Sequence, residues 1–348
     1  MIEVLKMKSV LVPGKKVTML EIAKRLHMSK STVSRAFSRP DLLDAKTVDR
    51  VLKSAEKLKF RPNVSAKVLS SGKTNLIAVL LPTLNYFTGE YLTMVLYGIG
   101  LELERNGCSM VFHGYDHADD KGGSIFHVLR RADVEGALVF TRFISGKQID
   151  ELSAPPVPTV AVDILTDIVP CVYSDNYGIG YSMTEHLIGM GHRRIACLIG
   201  DSEWENAMER RRGAIECLEK HGIDTPPEWK PMCKLDGGFE YSIKEFSAIL
   251  SSSTARTRPT AVVTATDEIA SGVYKVAERS GLKIPGDISV ISCDNNHYCK
   301  YLSPTLTSVE QNGCDLGIKA ARMLVGKLPA SKLSVNHHIV DRESVRKL

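Results

Sequence analysis

Apolar positions near the start of the chain fall into three short stripes. Ile22, Ala23 and Leu26 lie on one side of a helix, and Val33 and Phe37 form a second stripe after a turn of only three residues, "HMS". A third stripe of Val48, Val51, Leu52, Ala55 and Leu58 is long enough to close a small core over the first two. Start signals agree with these stripes. Thr18 stands three residues before Glu21, the spacing of a capping box, Ser29 can cap the second helix, and the third begins near Asp44. Two short helices, a tight turn and a closing helix predict a helix-turn-helix unit.

Beyond it the period changes. The stretch "FRPNVSAKVLSSGKTN" offers Pro62 as the opening of a short helix and Gly72 as a stop. Continuous apolar runs then recur as "LIAVLLP", "SMVFHGY", "GALVF", "PTVAVD", "RRIACLIG", "TAVVTAT" and "ISVISCD", separated by helical stretches such as Tyr91 to Asn106 and Ile179 to Met190. Unbroken apolar strands alternating with helices predict parallel βαβ units covered on both faces. About 270 residues are too many for one modest sheet, so two lobes are expected. No internal repeat is visible.

Charge divides the chain at the same place. The first 73 residues hold 17 Lys or Arg against 6 Asp or Glu, whereas the remaining 275 hold 28 against 34. A basic head on an acidic body points to a polyanionic partner for the head alone, and nucleic acid is the leading one. Outward positions on the second helix fit that partner: Lys30, Ser31, Thr32, Ser34, Arg35 and Ser38 all carry donors, and Arg35 is the best suited to grip a guanine edge with two hydrogen bonds. A solvated basic face on a purely structural bundle is the competing explanation.

Other classes lose support. There is no phosphate loop of the form GxxxxGK[ST], no GxSxG elbow, no metal-ligand cluster and no cofactor signature, so catalysis is not expected. Eight cysteines, at 108, 171, 197, 217, 233, 293, 299 and 314, include no C-x-x-C pair and read as buried thiols of a reducing compartment. The opening "MIEVLKMKSVLVPGKK" is broken by Glu3, Lys6 and Lys8, unlike a signal peptide, and no apolar run reaches membrane-spanning length. A cytoplasmic, soluble protein is expected, with residues 1–16 as a frayed extension.

The segments "VTMLEIAKRLHMSKSTVSRAFS" and "AKTVDRVLKSAEKLKFRPNVSAKVL" resemble the lactose-repressor/galactose-repressor family of bacterial transcription regulators. The likeness continues through "YSDNYGIGYSMTEHLIGMGHRRIACLIG", "RRRG", "TATDEIASGVYKVAERSGLKIPGDISVISCDN" and "PTLTSVEQN". It implies an N-terminal all-α helix-turn-helix domain over residues 17–62, a hinge helix and linker over 63–74, and a two-lobed α/β effector domain over 75–348, like the type I periplasmic binding proteins, with parallel sheets. Lobe 1 would take about 75–173 and 304–326, and lobe 2 about 174–303 and 327–348.

The family pattern further implies a homodimer on a palindromic operator. Lys30, Ser31 and Arg35 would read bases, while Thr32, Ser34 and Ser38 would touch the DNA backbone. Leu69 would enter the minor groove from the hinge, flanked by Asn63 and Ala66; an apolar wedge there offsets the cost of unstacking by widening the groove for further contact. His27 departs from the pattern, standing where the family usually has glycine, and Lys67 and Ser70 follow the commoner choices loosely.

A small molecule, a sugar or sugar derivative, is expected between the lobes, at the carboxyl ends of the strands. Asp267, directly after "TAVVTAT", could accept its hydrogen bonds or could cap the helix "EIASGVYKVAE". Arg210, opening "RRRG", matches the family's effector-binding arginine, with a solvated basic turn as the alternative. Phe87 and Phe239 match positions that stack a ring on the ligand or else pack in the core. Arg142 would add charge for an anionic ligand, and Trp204 and Asn206 are expected on the loop near Arg210. No leucine heptad follows the lobes, so a dimer is expected rather than a tetramer. A transporter-type binding protein without DNA function is the alternative reading.

Overall fold

The computed structural model of the chain describes residues 17–60, 73–82, 89–115, 129, 133–140, 151–200, 204–232 and 237–348. They belong to two compact units, Met1–Thr74 and Asn75–Leu348.

The described residues of the first unit form a head of three α-helices: α1 (Met19–Leu26), α2 (Lys30–Ser38) and α3 (Ala45–Lys57). Each starts where its cap says it should. Glu21 N donates to Thr18 Oγ1 and Thr18 N donates back to Glu21 Oε2 at 2.7 Å, completing the capping box. Ser29 Oγ accepts from Thr32 N at 3.0 Å, and Asp44 Oδ1 from Thr47 N at 2.8 Å. Ile22, Ala23, Val33, Ala36, Val51 and Ala55 form the core, flanked by Leu26, Phe37, Leu58 and Phe60. Leu52, expected inside, is 46% exposed. Val51, Ala55 and Leu58 already complete the inward stripe of α3, and Leu52 lies about 100° around the helix from Val51.

The turn between α1 and α2 puts His27 in the left-handed region, φ 52° and ψ 43°. That conformation costs a side-chain-bearing residue about 1–2 kcal/mol, of which glycine would return about 0.5–1 kcal/mol to the unfolded chain. His27→Gly is therefore expected to stabilise the head by roughly 0.5–1 kcal/mol. Slower amide exchange across residues 19–57 of the full chain would register the gain, and faster exchange would contradict it.

The second unit contains two sheets. The first has six parallel strands: β1 (Leu76–Pro82), β2 (Ser109–Tyr115), β3 (Gly136–Phe140), β4 (Thr159–Val162), β5 (Cys171–Ser174) and β10 (Lys332–Val335), in the order β10-β5-β4-β3-β1-β2. The second contains β6 (Ile195–Leu198), β7 (Ala261–Thr264), β8 (Ser289–Cys293), β9 (Thr307–Glu310) and β11 (His338–Val340), in the order β11-β9-β8-β7-β6. Only β11 runs antiparallel, against β9.

Among the described residues six α-helices cover these sheets: α4 (Glu90–Arg105), α5 (Asn176–Gly189), α6 (Glu205–Lys220), α7 (Gly238–Ser251), α8 (Asp267–Arg279) and α9 (Gly313–Leu324). Both faces of the first sheet are buried: Ile77, Val79 and Leu81 point into one cluster with α4 and α9, and Ala78 and Leu80 into another. This double burial is why the strands read as unbroken apolar runs.

The chain passes between the sheets three times, at residue 175, at 311–312 and at 336–337. The two later passages lie further along than the expected boundaries at 303/304 and 326/327. Thr307–Glu310 pairs with β8 in the second sheet, and Lys332–Val335 pairs with β5 in the first.

Glycines let each lobe's helix pair cross closely. A methyl at Gly180 would fall on the carbonyl oxygen of Arg210, and one at Gly213 on that of Tyr177, so α5 and α6 touch backbone to backbone. Gly98 and Gly317 do the same for α4 and α9. Among the described residues no helix is long and apolar enough to cross a membrane.

Candidate functional site

On the head, the outward side of α2 carries the expected donors. Lys30, Ser31 and Arg35 are exposed, and Thr32 and Ser34 are half-buried. Ser29 Oγ lies 2.7 Å from Ser31 Oγ and 2.8 Å from Thr32 Oγ1, so three hydroxyls are ordered together at the amino end of the helix. The side chain of Ser38 and all of Asn63, Ala66 and Leu69 lie outside the described residues, as do Phe87 and Arg142.

Between the lobes the sites cluster at strand ends. Arg210, on α6, is 7% exposed and spends its guanidinium on three acceptors: Nε to Asn176 Oδ1 at 2.7 Å, Nη1 to the Ala265 carbonyl at 2.8 Å, and Nη2 to Gln311 Oε1 at 2.8 Å. The Gly180–Gly213 crossing brings α6 close enough to α5 for the bond to Asn176. Gln311 Nε2 donates to Asp294 Oδ1 at 2.7 Å, which stands 3.9 Å from Arg210 Nη1. Arg210 is thus a buried, bonded arginine at the cleft and not the solvated turn considered as its alternative.

Asp163, directly after β4, joins the lobes. Tyr91 OH donates to its Oδ1 at 2.9 Å, and Asn206 Nδ2 reaches its carbonyl at 2.9 Å and its Oδ2 at 3.2 Å. A second tie runs from His297 N to Glu90 Oε2 at 2.6 Å. Asp163, Asp294 and Asn295 all have left-handed backbones, at φ 62°, 112° and 52°. Such strain in residues other than glycine gathers at functional sites.

The cap role considered for Asp267 belongs to Thr266, whose side chain accepts from Ile269 N at 3.4 Å. Asp267 itself is fully buried, and its carboxylate accepts from Asn296 N and Ser308 Oγ, both at 2.7 Å. Phe239 is half-buried at the start of α7, its N–H 3.4 Å from Glu268 Oε1. No described bond links it to Arg210. A cavity of about 650 Å³ borders the cleft, lined by Glu90, Tyr91, Asp294, Asn295, Glu310 and Asn312 among others. Among the described residues no group of three potential metal ligands occurs.

Burial pushes Asp163 up to about 6, although the Tyr91 hydroxyl and Arg210 pull it back. It pushes Asp294 up to about 8, opposed by Arg210 and reinforced by Asp267. Both therefore hold protons in the folded state that the unfolded chain releases above its ordinary carboxylate range. Their contribution to stability is present in acid and is lost as the pH rises toward the folded values. The effector unit is expected to lose melting temperature from about pH 5 to about pH 8 on their account, and Asp294→Asn should flatten that slope. Calorimetry across the interval checks it; an unchanged slope in the variant excludes Asp294 as a source.

Sequence reasoning missed Asp163, Asp294, Asn176 and Gln311. The first two carry the signal that singled out Asp267, an acid directly after an apolar strand, in "TVAVD" and "SVISCD". Asn176 and Gln311 gave no local signal.

A head with an exposed donor-rich second helix, joined to two parallel-sheet lobes around a polar cleft, defines a ligand-responsive DNA-binding regulator. The sequence model for bacterial regulatory proteins of the lacI family matches residues 18–63, and that for the periplasmic binding protein-like domain matches 184–345. Similar proteins include the HTH-type transcriptional regulator DegA of Bacillus subtilis (strain 168), 27% identical over 313 residues, covering 88% of this chain and 90% of DegA. The HTH-type transcriptional repressor CytR of Escherichia coli (strain K12) is 24% identical over 330 residues, 94% of each chain. The fold matches the lac repressor dimer bound to operator and the anti-inducer ONPF, with a TM-score of 0.78 at 22% identity, over 95% of this chain and 100% of that one. Residues 18–63 thus carry a lacI-family DNA-binding domain and residues 184–345 a periplasmic binding protein-like domain.

Proposed function

We propose that the chain is a homodimeric, cytoplasmic transcriptional repressor that binds a palindromic operator and whose grip is set by a small molecule between the lobes. The observation that carries this reading is the pairing, in one chain, of the exposed Lys30–Ser31–Arg35 face on a basic head with lobes tied across a polar cleft. On the DNA side Lys30, Ser31 and Arg35 read bases, Thr32, Ser34 and Ser38 hold the backbone, and Leu69, with Asn63 and Ala66, wedges the minor groove. On the effector side Asp267, Arg210, Phe239, Phe87 and Arg142 surround the ligand, joined by Asp163 and Asp294. A sugar or sugar derivative suits a cleft rich in carboxylates and amides, which accept from and donate to hydroxyl groups.

Ligand acts only through its different affinities for the DNA-competent and DNA-incompetent forms. Fluorescence anisotropy on duplexes selected from genomic fragments, across a salt series, tests the DNA half: a steep salt slope with discrimination against scrambled sequence is expected. A thermal-shift panel of sugars, sugar acids, phosphosugars and purines tests the effector half, since a bound ligand raises the melting temperature by mass action. Binding that cannot tell a palindrome from scrambled duplex would remove the repressor reading.

A further inference from the structure

The three passages of chain between the lobes are joined by side chains into one hydrogen-bonded set. At the first, Asn176 Oδ1 accepts from Arg210 Nε at 2.7 Å. At the second, Gln311 Oε1 accepts from Arg210 Nη2 at 2.8 Å, and Gln311 Nε2 donates to Asp294 Oδ1 at 2.7 Å. The next residue, Asn312, reaches the third passage, its Nδ2 donating to the Asn336 carbonyl at 2.6 Å. One run of contacts, Asn176 to Arg210 to Gln311 and on through the backbone to Asn312 and Asn336, spans the hinge from edge to edge.

Gln311 is the node. It is 1% exposed, so its amide has no water to fall back on, and it needs both an acceptor and a donor partner. Arg210 presents only donors, so the amide oxygen must face it and the nitrogen must face Asp294. That polarity fixes the side chain in one orientation. Asp294 also lines the 650 Å³ cavity, so a molecule that hydrogen-bonds to its carboxyl competes with Gln311 for it. On the other side, Gln311 directly precedes the Asn312–Gly313 start of α9, a helix that packs on α4 in the first lobe.

We infer that Gln311 is a positioning residue for the effector response, which converts a change at Asp294 into a change of geometry at all three passages. The assignment rests on the proposed function for its biological meaning, and on the hinge geometry alone for its physics. A buried side chain held in one orientation by two different partners passes the loss of either bond on to the other, which is what a contiguous coupling network requires.

The test uses the full-length dimer and three variants: Gln311→Leu, which keeps the bulk and removes both bonds; Gln311→Glu, which keeps the bond to Arg210 and replaces the donor to Asp294 with an acceptor; and Asn312→Ala, which cuts the tie to the third passage. Hydrogen exchange is followed by mass spectrometry, and anisotropy is read on a duplex selected by the wild type, without any added small molecule. In Gln311→Leu, exchange is expected to rise at least tenfold at 176–178, 312–314 and 336–338 together, with residues 19–57 unchanged, and operator affinity is expected to move at least tenfold. Gln311→Glu should keep the wild-type pattern at neutral pH, where Asp294 holds a proton that it can donate to the new carboxylate, and take on the Gln311→Leu pattern as the pH rises past about 8 and both carboxylates are ionised. Asn312→Ala should loosen 336–338 without loosening 176–178.

Exchange that rises only at 312–314, or operator affinity within twofold of wild type, overturns the inference. Should wild type itself bind no duplex, the repressor reading fails and the exchange arm still decides the hinge assignment. A Gln311→Leu chain that fails to fold is replaced by the Gln311→Glu alkaline series, whose loosening of all three passages together at high pH, absent in wild type, a purely structural role would not give.

Discussion

Replacing Arg35 with alanine is expected to cost the dimer most of its sequence discrimination. A bidentate arginine–guanine pair contributes about 1–3 kcal/mol, and a twofold dimer makes it twice, so operator affinity should fall roughly 30-fold to 10⁴-fold. Binding to random duplex should fall far less, because the head keeps the remainder of its basic residues. Arg35→Lys separates charge from geometry: lysine restores the phosphate attraction without the planar fork, so affinity for random sequence recovers and discrimination does not. Competition anisotropy on selected and scrambled duplexes measures both quantities. Wild-type discrimination in Arg35→Lys would remove Arg35 from the reading residues and shift the weight to Lys30 and Ser31.

Arg210→Met should be the most damaging single change in the lobes. It leaves Asn176 Oδ1, the Ala265 carbonyl and Gln311 Oε1 without their donor in a buried site, and takes the neighbouring charge from Asp294. Breaking such a cluster costs about 3–5 kcal/mol, toward the lower end here because Asp294 already holds a proton and is not left as a bare buried charge. For a unit of this size the melting temperature should drop on the order of 10 °C. Arg210→Lys is expected to rescue little, since one ammonium on a flexible stem cannot meet three acceptors set by a planar fork. A loss below about 2 °C by calorimetry would mean that solvent already satisfies those acceptors.

Much of this architecture is written locally. The starts of α1, α2 and α3 were legible because a cap needs only a side chain and a backbone amide three residues away, as in Thr18 with Glu21 and Ser29 with Thr32. The inner strands were legible because double burial leaves no polar alternation. The short strands Cys171–Ser174, Thr307–Glu310, Lys332–Val335 and His338–Val340 were not, since three or four residues, with exposed positions in two of the four, carry too little pattern to register.

The cleft was legible only in part for a different reason. Arg210 stood out by its motif, but its partners lie 34, 55 and 101 residues away in sequence. Only the folded topology decides which acceptors its donors meet. Asp163 and Asp294 obeyed the strand-end rule as plainly as Asp267, and the rule was applied to one acid of three.

The passages between the lobes are also very short: one residue at 175 and two each at 311–312 and 336–337. Extended chain spans at most about 3.6 Å per step, so the three steps across each longer bridge allow a gap of only about 11 Å. With α5 locked onto α6 and α4 onto α9 by carbonyls seated where methyls would be, neither lobe has slack of its own. Tethers this short favour a swing about a three-stranded pivot over a long slide of one lobe past the other.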